Sequence, residues 1–386
     1  MTKNRARALI MTLVLAGLLA GCGSLKLNPY SLDSEAVGMP FNIPISYDDF
    51  TYDSHLHRVI IPAGESGQVA LIDPTNLQMQ LISGFSQQVD PADPIIGASA
   101  AAVAGGYLYG LDQKTMSIKT IELSTGNPIA STPVQAAPEY IRFISATGEL
   151  WVTERKSNQI EIFSVSADDP PALQSTRVIS IPNGPQALVI DDQRGLAFTN
   201  RPNQGLTDVI QVMTHTVIAA WGNGCSSARG MAVDENEGYL IVACEEGKLV
   251  VMDINNDGYQ VTSQNFGGEL DSVAYNPNLH HVYLPSSASG LVAIFQLQTA
   301  QGAPEPTNDP EKTPAVSLTI PPGGTEAMES RASLLLLGTA DTDVKAKCVT
   351  ADEYNDIWVC NPNNGQVFFI HDSFPDASVK PQASSR

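Results

Sequence analysis

Four cysteines carry the most specific chemistry in this 386-residue chain. In CVTADEYNDIWVC, Cys348 and Cys360 stand symmetrically about Tyr354, and Thr350 faces Trp358 if the segment folds back as a hairpin. Directly opposed cysteines on antiparallel strands come within bridging reach, so this register predicts a disulfide. Cys225 and Cys244 flank a comparable hairpin, but Cys225 lies several residues before its strand and must curl back to reach its partner. Free thiols, or one zinc site built from all four sulfurs, are the alternatives, and the zinc site requires two distant segments to meet.

Other residues able to do chemistry are scattered. The six histidines stand at 55, 57, 215, 280, 281 and 371. DINNDG, residues 253–258, resembles the start of a calcium loop, with Asp253, Asn255 and Asp257 offering oxygens, but position twelve is Gln264 where a bidentate Glu is needed. A plain hairpin turn is the favoured reading. No G-x-S-x-G, H-E-x-x-H, P-loop or C-x-x-C-H pattern is present, and no resident metal or cofactor is expected.

The elements that position these residues are strands. HRVIIPAGESGQVALID (57–73) alternates apolar and polar residues, turns at Gly67 and alternates again. HHVYLPSSASGLVAIFQ (280–296) repeats the pattern, with His280 on His57, Pro285 on Pro62 and Gly290 on Gly67. The apolar marker recurs as Val69, Ile118, Ile160, Val209, Leu249, Val292 and Val367, at spacings of 40–49 residues and a last interval of 75. That period fits a four-stranded blade, as in YIRFIS, GELWVTE, NQIEIFSV and TRVISIP. The expected fold is an all-β, seven-bladed β-propeller of four-stranded antiparallel blades over residues 43–372. Such a ring keeps the two cysteine hairpins, in blades 5 and 7, apart. It also spreads His57 and His280 over blades 1 and 6. Tyr109, Trp151, Phe198, Tyr283 and Trp358 fall near the position of Ile60, read as a third strand, where they would fill the space between blades.

GESGQVALIDPTN and ENEGYLIVACEEGKLVVMDINND resemble the repeat of seven-bladed YVTN-type propellers, a resemblance that implies fold and no activity. Blade 4, with its FTNRPNQGLTDV turn, and an interrupted blade 7 depart from it.

The N-terminus speaks of location. Lys3, Arg5 and Arg7 precede an apolar run of signal-peptide length ending in LAGC. LAGC resembles the bacterial lipobox, which implies a diacylglyceryl thioether on Cys22 and cleavage before it. Residues 1–21 then form the signal, 22–42 a lipidated tether and 373–386 a tail. Gly23, where an Asp is absent, favours the outer membrane by analogy. Loss of the signal takes the 21 Lys and Arg to 18 against 41 Asp and Glu, a balance of −23. So acidic a body does not suit nucleic acid and is repelled by anionic lipid, which leaves the anchor to hold the protein at the membrane.

Insertions are where binding function is most readily added. VSADDPPALQ and QLQTAQGAPEPTNDPEKTP extend the connections after what read as the outer strands of blades 3 and 6. In residues 321–343, Thr325 is placed to cap a helix over 326–337 that ends at Gly338. The expected role is a membrane-anchored envelope scaffold with a protein partner. The rival is a lactonase-like or quinoprotein-like enzyme with a central polar channel site, for which Asp271, Glu139 and Arg229, all near blade entrances, are the candidates, their direction not fixed by sequence.

Overall fold

The computed structural model describes residues 30–41, 43–89, 96–299 and 332–376. The signal sequence, Cys22, the first part of the tether, most of the long insertion and residues 377–386 lie outside them. Strands alternate with tight turns throughout, and they assemble into seven antiparallel sheets arranged as blades around a channel. Blade 3 shows the plan, with Ile141–Ile144 nearest the channel, then Glu149–Glu154, Gln159–Val165 and Leu173–Ser180.

Turn chemistry explains part of the repeat. The residue just before each second strand is His57, Gly106, Gly148, Gly195, Gly238, His280 or Asn355, and all seven have positive φ. Glycine adopts that left-handed conformation without strain, and Asn and His tolerate it better than most residues. His57 and His280 therefore share a repeat position for a backbone reason. Their side chains go to different partners, His57 to Glu353 at 2.6 Å and His280 to Tyr275 at 3.0 Å.

The core is a belt of packed layers between neighbouring blades. Tyr47, Val59, Ile61 and Ile72 meet Cys348, Trp358, Cys360 and Val367 where blade 1 abuts blade 7. Tyr109, Trp151, Phe198, Tyr283 and Trp358 are all buried, as aromatic wedges between blades should be, but they sit on the second strand of each blade and not the third. One strand, and not two, separates each of them from the channel.

Several boundaries differ from the sequence reading. Residues 30–42, taken as tether, contain two strands. Glu35–Val37 pairs antiparallel with Gln366–His371 and supplies the outer strand of blade 7. Tyr30–Leu32 runs parallel to Ala332–Asp341 as a fifth strand of blade 6. The N-terminal segment thus closes the ring, a question sequence pattern left open. The Tyr47 hydroxyl also donates to the Gly365 carbonyl at 2.9 Å, tying the approach to blade 1 onto blade 7. At the other end, Phe374 of the expected tail packs on the core between blades 6 and 7.

The described part of the expected helix over 326–337 is a strand, Ala332–Asp341. It is the fourth strand of blade 6 and pairs along the long third strand Leu291–Thr299. Ala332 and Leu334 are buried while Leu335 and Leu336 face out, so tertiary pairing overrides a run of good helix formers. Both insertions consequently lie between third and fourth strands, and the blade interrupted by the longer one is blade 6 and not blade 7.

Both disulfides are formed. Cys348 and Cys360 approach to 5.4 Å between Cα atoms in the expected register, Thr350 facing Trp358. Cys225 and Cys244 approach to 5.3 Å, and Cys225 reaches its partner from the loop before Ala228–Asp234. Glu246 lies near the second pair, but with the sulfurs bonded to each other no thiolate remains for a metal.

Candidate functional site

The seven inner strands are Thr51–Asp53, Ala98–Ala104, Ile141–Ile144, Gln186–Asp191, Ala228–Asp234, Ala274–Asn276 and Val349–Ala351. On each, one residue faces the large side chain of the second strand: Thr51, Ala102, Arg142, Val189, Ala232, Ala274 and Thr350. Three residues before these stand Asp48, Ser99, Glu139, Gln186, Arg229, Asp271 and Lys347. Every one is polar and five are charged. The repeat thus sets a polar ring where the chain enters the channel at each blade.

The charged members interact. Lys347 Nζ lies 3.3 Å from Asp271, and the Ser272 hydroxyl donates to the Lys347 carbonyl at 2.6 Å, joining blades 6 and 7. Arg229 donates to Glu245 at 2.6 Å, and Glu245 also accepts from Ser227 at 2.7 Å. Arg155 donates to Gln186 at 2.7 Å. The carboxylates of Asp48 and Glu139 accept no hydrogen bond from another side chain among the described residues.

Burial pushes the Asp48 carboxyl up to about 7; Lys347 opposes the shift, and Asp271, Asp49 and Glu139 add to it. Burial likewise raises Glu139, against the pull of Arg155, Lys156 and Arg229. For Lys347, burial alone would lower the pKa, but Asp48 and Asp271 outweigh it and the ammonium is held above its usual range. The candidates Asp271, Glu139 and Arg229 therefore do converge on one channel mouth. Asp48 and Lys347 were missed, although the three-residue offset from the inner strands would have found them.

Both disulfides brace this mouth. Cys348 directly follows Lys347, and Cys244 directly precedes Glu245, the partner of Arg229. Beneath the ring lies a cavity of about 70 Å³ bounded by Asp48, Asp49, Tyr140, Arg142 and Asp271. Asp49 and Arg142, from blades 1 and 3, form a two-point ion pair at 2.6 and 2.9 Å. The inner strand of blade 2, ASAAAVA, carries only small residues at this level, which leaves the guanidinium room to reach across. Arg142 also lines a wider chamber of about 440 Å³ towards the other end of the channel, where it is the one charged lining residue. The pair thus stands at the boundary between the two chambers.

The remaining candidates do not join this site. Asp253 Oδ1 accepts from the Asn255 amide at 2.9 Å, Asn255 Oδ1 accepts from Arg194 Nε at 3.0 Å, and Asp257 sits in the left-handed region. Those oxygens serve a turn, with a guanidinium already beside one of them. A His–Asp–Tyr array does exist, with Asp372 accepting from Tyr283 at 2.8 Å and lying 2.7 Å from His281. All three are buried, so the array fastens the C-terminal segment to blade 6 and meets no solvent.

No family model and no curated protein sequence matches the chain. Solved structures match in shape. A chain of Kuenenia stuttgartiensis hydrazine synthase aligns over 87% of this chain and 97% of its own, with a TM-score of 0.64 and 14% identity. A chain from a mitotic checkpoint complex aligns over 95% and 99%, with a TM-score of 0.64 and 9% identity. Streptogramin B lyase aligns over 87% and 96%, with a TM-score of 0.59 and 10% identity. At such identities the likeness is one of fold, the β-propeller, shared by proteins of different function.

Proposed function

We propose that this is a lipid-anchored β-propeller of the bacterial envelope, of YVTN type, that binds a protein partner over the charged mouth of its channel. The supporting observation is the ring of seven polar positions above a cavity of only about 70 Å³. Ligand pockets for metabolite-sized molecules occupy roughly 300–1,000 Å³, so this mouth suits contact across its rim better than engulfment of a substrate. Three ring carboxylates and two ring cations, braced by two disulfides, make a rigid mixed-charge surface of the kind that fixes register between proteins. The thioether on Cys22 would hold the body at the outer membrane, which its charge balance of 18 Lys and Arg against 41 Asp and Glu, −23 after loss of the signal, would not do on its own.

An enzyme reading draws on Asp48, whose carboxyl near pKa 7 is poised for proton transfer. Streptogramin B lyase is named as an enzyme on a similar scaffold. The wider chamber, however, brings one charged side chain to its wall, already paired with Asp49.

Chemical crosslinking in intact cells followed by mass spectrometry tests the binding reading. The wild type should bring down one partner in stoichiometric amount, and the double variant Arg229→Glu/Lys347→Glu should lose it. No partner at any crosslinker dose, together with a metal or chromophore in the purified protein, would establish the enzyme reading instead. Cys22→Ala should move the protein to the soluble fraction; a variant that still pellets with membranes refutes the anchor.

A further inference from the structure

Another cavity lies between blades 2 and 3, at the far ends of the inner strands and on the opposite face from the charged ring. Its volume is about 300 Å³, at the lower end of the range for small-molecule sites. The connection between the third and fourth strands of blade 3, one of the two insertions prominent in the sequence, forms one wall. That loop is closed on itself, the Ser166 amide donating to the Ala172 carbonyl at 2.9 Å and the Ala172 amide donating to the Ser166 hydroxyl at 2.9 Å. It is latched to blade 2 by a hydrogen bond from the Tyr107 hydroxyl to Asp169.

Tyr107, Tyr109 and Phe143 form the aromatic part of the lining, and Asp168 brings a carboxylate to it. Two features go beyond packing. Tyr109 is only 1% exposed and its ring helps wall the cavity, yet its hydroxyl has no hydrogen-bond partner in the described chain. That hydroxyl is not enclosed by the protein, so a ligand in the cavity can accept from it or donate to it. Asp168 is exposed, next to the latched Asp169, and makes no ion pair or hydrogen bond among the described residues. Every other aromatic wedge named above is a hydrocarbon ring, an indole bonded to a carboxylate as in Trp151 and Trp358, or a phenol bonded to one as in Tyr283.

We propose that this cavity binds a small organic cation: an ammonium or guanidinium group on a compact apolar body. Aromatic walls attract a cation through their ring quadrupoles, the Asp168 carboxylate neutralises it, and the Tyr109 hydroxyl offers a polar contact at the base. Ala104 and Val165 complete an apolar lining for the body of the ligand. The surplus of carboxylates over the whole chain draws cations and repels anions, in the same sense. This site is independent of the charged ring.

The test uses the full chain in nonionic detergent and titrates choline, with its neutral isostere 3,3-dimethylbutan-1-ol and with arginine methyl ester, by calorimetry. One of the two cations should bind saturably, and the neutral isostere should bind at least about tenfold more weakly than choline if choline is the one that binds. Asp168→Asn should weaken the cation about tenfold, and Tyr109→Phe, which removes one oxygen from the core, several-fold. Tyr259→Ser, on the exposed outer strand of blade 5, should leave cation affinity unchanged. Equal binding of choline and its isostere, unchanged affinity in both cavity variants, or no binding of either cation at about 10 mM would each overturn the proposal.

Discussion

Glu154 and Glu161 offer a sharp test of how burial controls charge in this fold. Both are buried at the edge of blade 3 and their carboxyl groups are hydrogen-bonded to each other. Glu154 also accepts from the Ala136 amide at 3.0 Å and from Gln159 at 2.5 Å, while Glu161 accepts from the Gln135 amide at 3.0 Å and Ser175 at 2.5 Å. Burial is the largest cause lifting Glu154, opposed by the two donors and reinforced by Glu161, and the result is about 7 against an ordinary 4.5. A raised carboxyl means that the folded protein holds a proton the unfolded chain has released. Its contribution is therefore complete below pH 4.5 and is lost as pH rises through 7. A shift of this size corresponds to roughly 3 kcal/mol.

Glu154→Gln removes that dependence while keeping the shape of the side chain. Urea unfolding of wild type and variant at pH 4.5 and pH 8.5 isolates the pair, because titrating groups outside it cancel in the difference. Relative to wild type, the variant should gain roughly 3 kcal/mol between the two pH values. A wild-type-to-variant difference that is the same at both pH values would refute a shared proton in this pair.

Arg142→Ala should cost about 3–5 kcal/mol in denaturant unfolding, since it strands buried Asp49, whereas Arg142→Met with Asp49→Leu should come near wild type. Replacing Cys348 and Cys360 by Ala should lower stability by about 2–4 kcal/mol, read as a fall in Tm that reductant no longer deepens at this site. Replacing residues 30–37 by a Gly/Ser linker of equal length should leave the last blade with an open edge, seen as self-association in size-exclusion chromatography and loss of a single cooperative transition.

Much of this architecture is local and so was readable from residue order. Alternation marks strands, left-handed Gly, His and Asn mark the hairpin turns, and the register of Cys348 with Cys360 follows from one hairpin. The polar ring was legible as well, three residues ahead of each inner-strand reference position, but the hairpin of second and third strands is the louder signal and masked the strand before it. Pairings between distant segments were not readable. Tyr30 opposite Gly338, Val37 opposite Val367 and Arg142 with Asp49 depend on ring closure, which no periodicity encodes. The leucines before Gly338 have helical propensity in isolation and become a strand because Leu291–Thr299 offers an unpaired edge. Sequence by itself determined the repeated blade, through short-range backbone and burial preferences. The tertiary structure alone decided which chain end closes the ring and which charges meet at its mouth, because those contacts form only when blades far apart in the chain become neighbours.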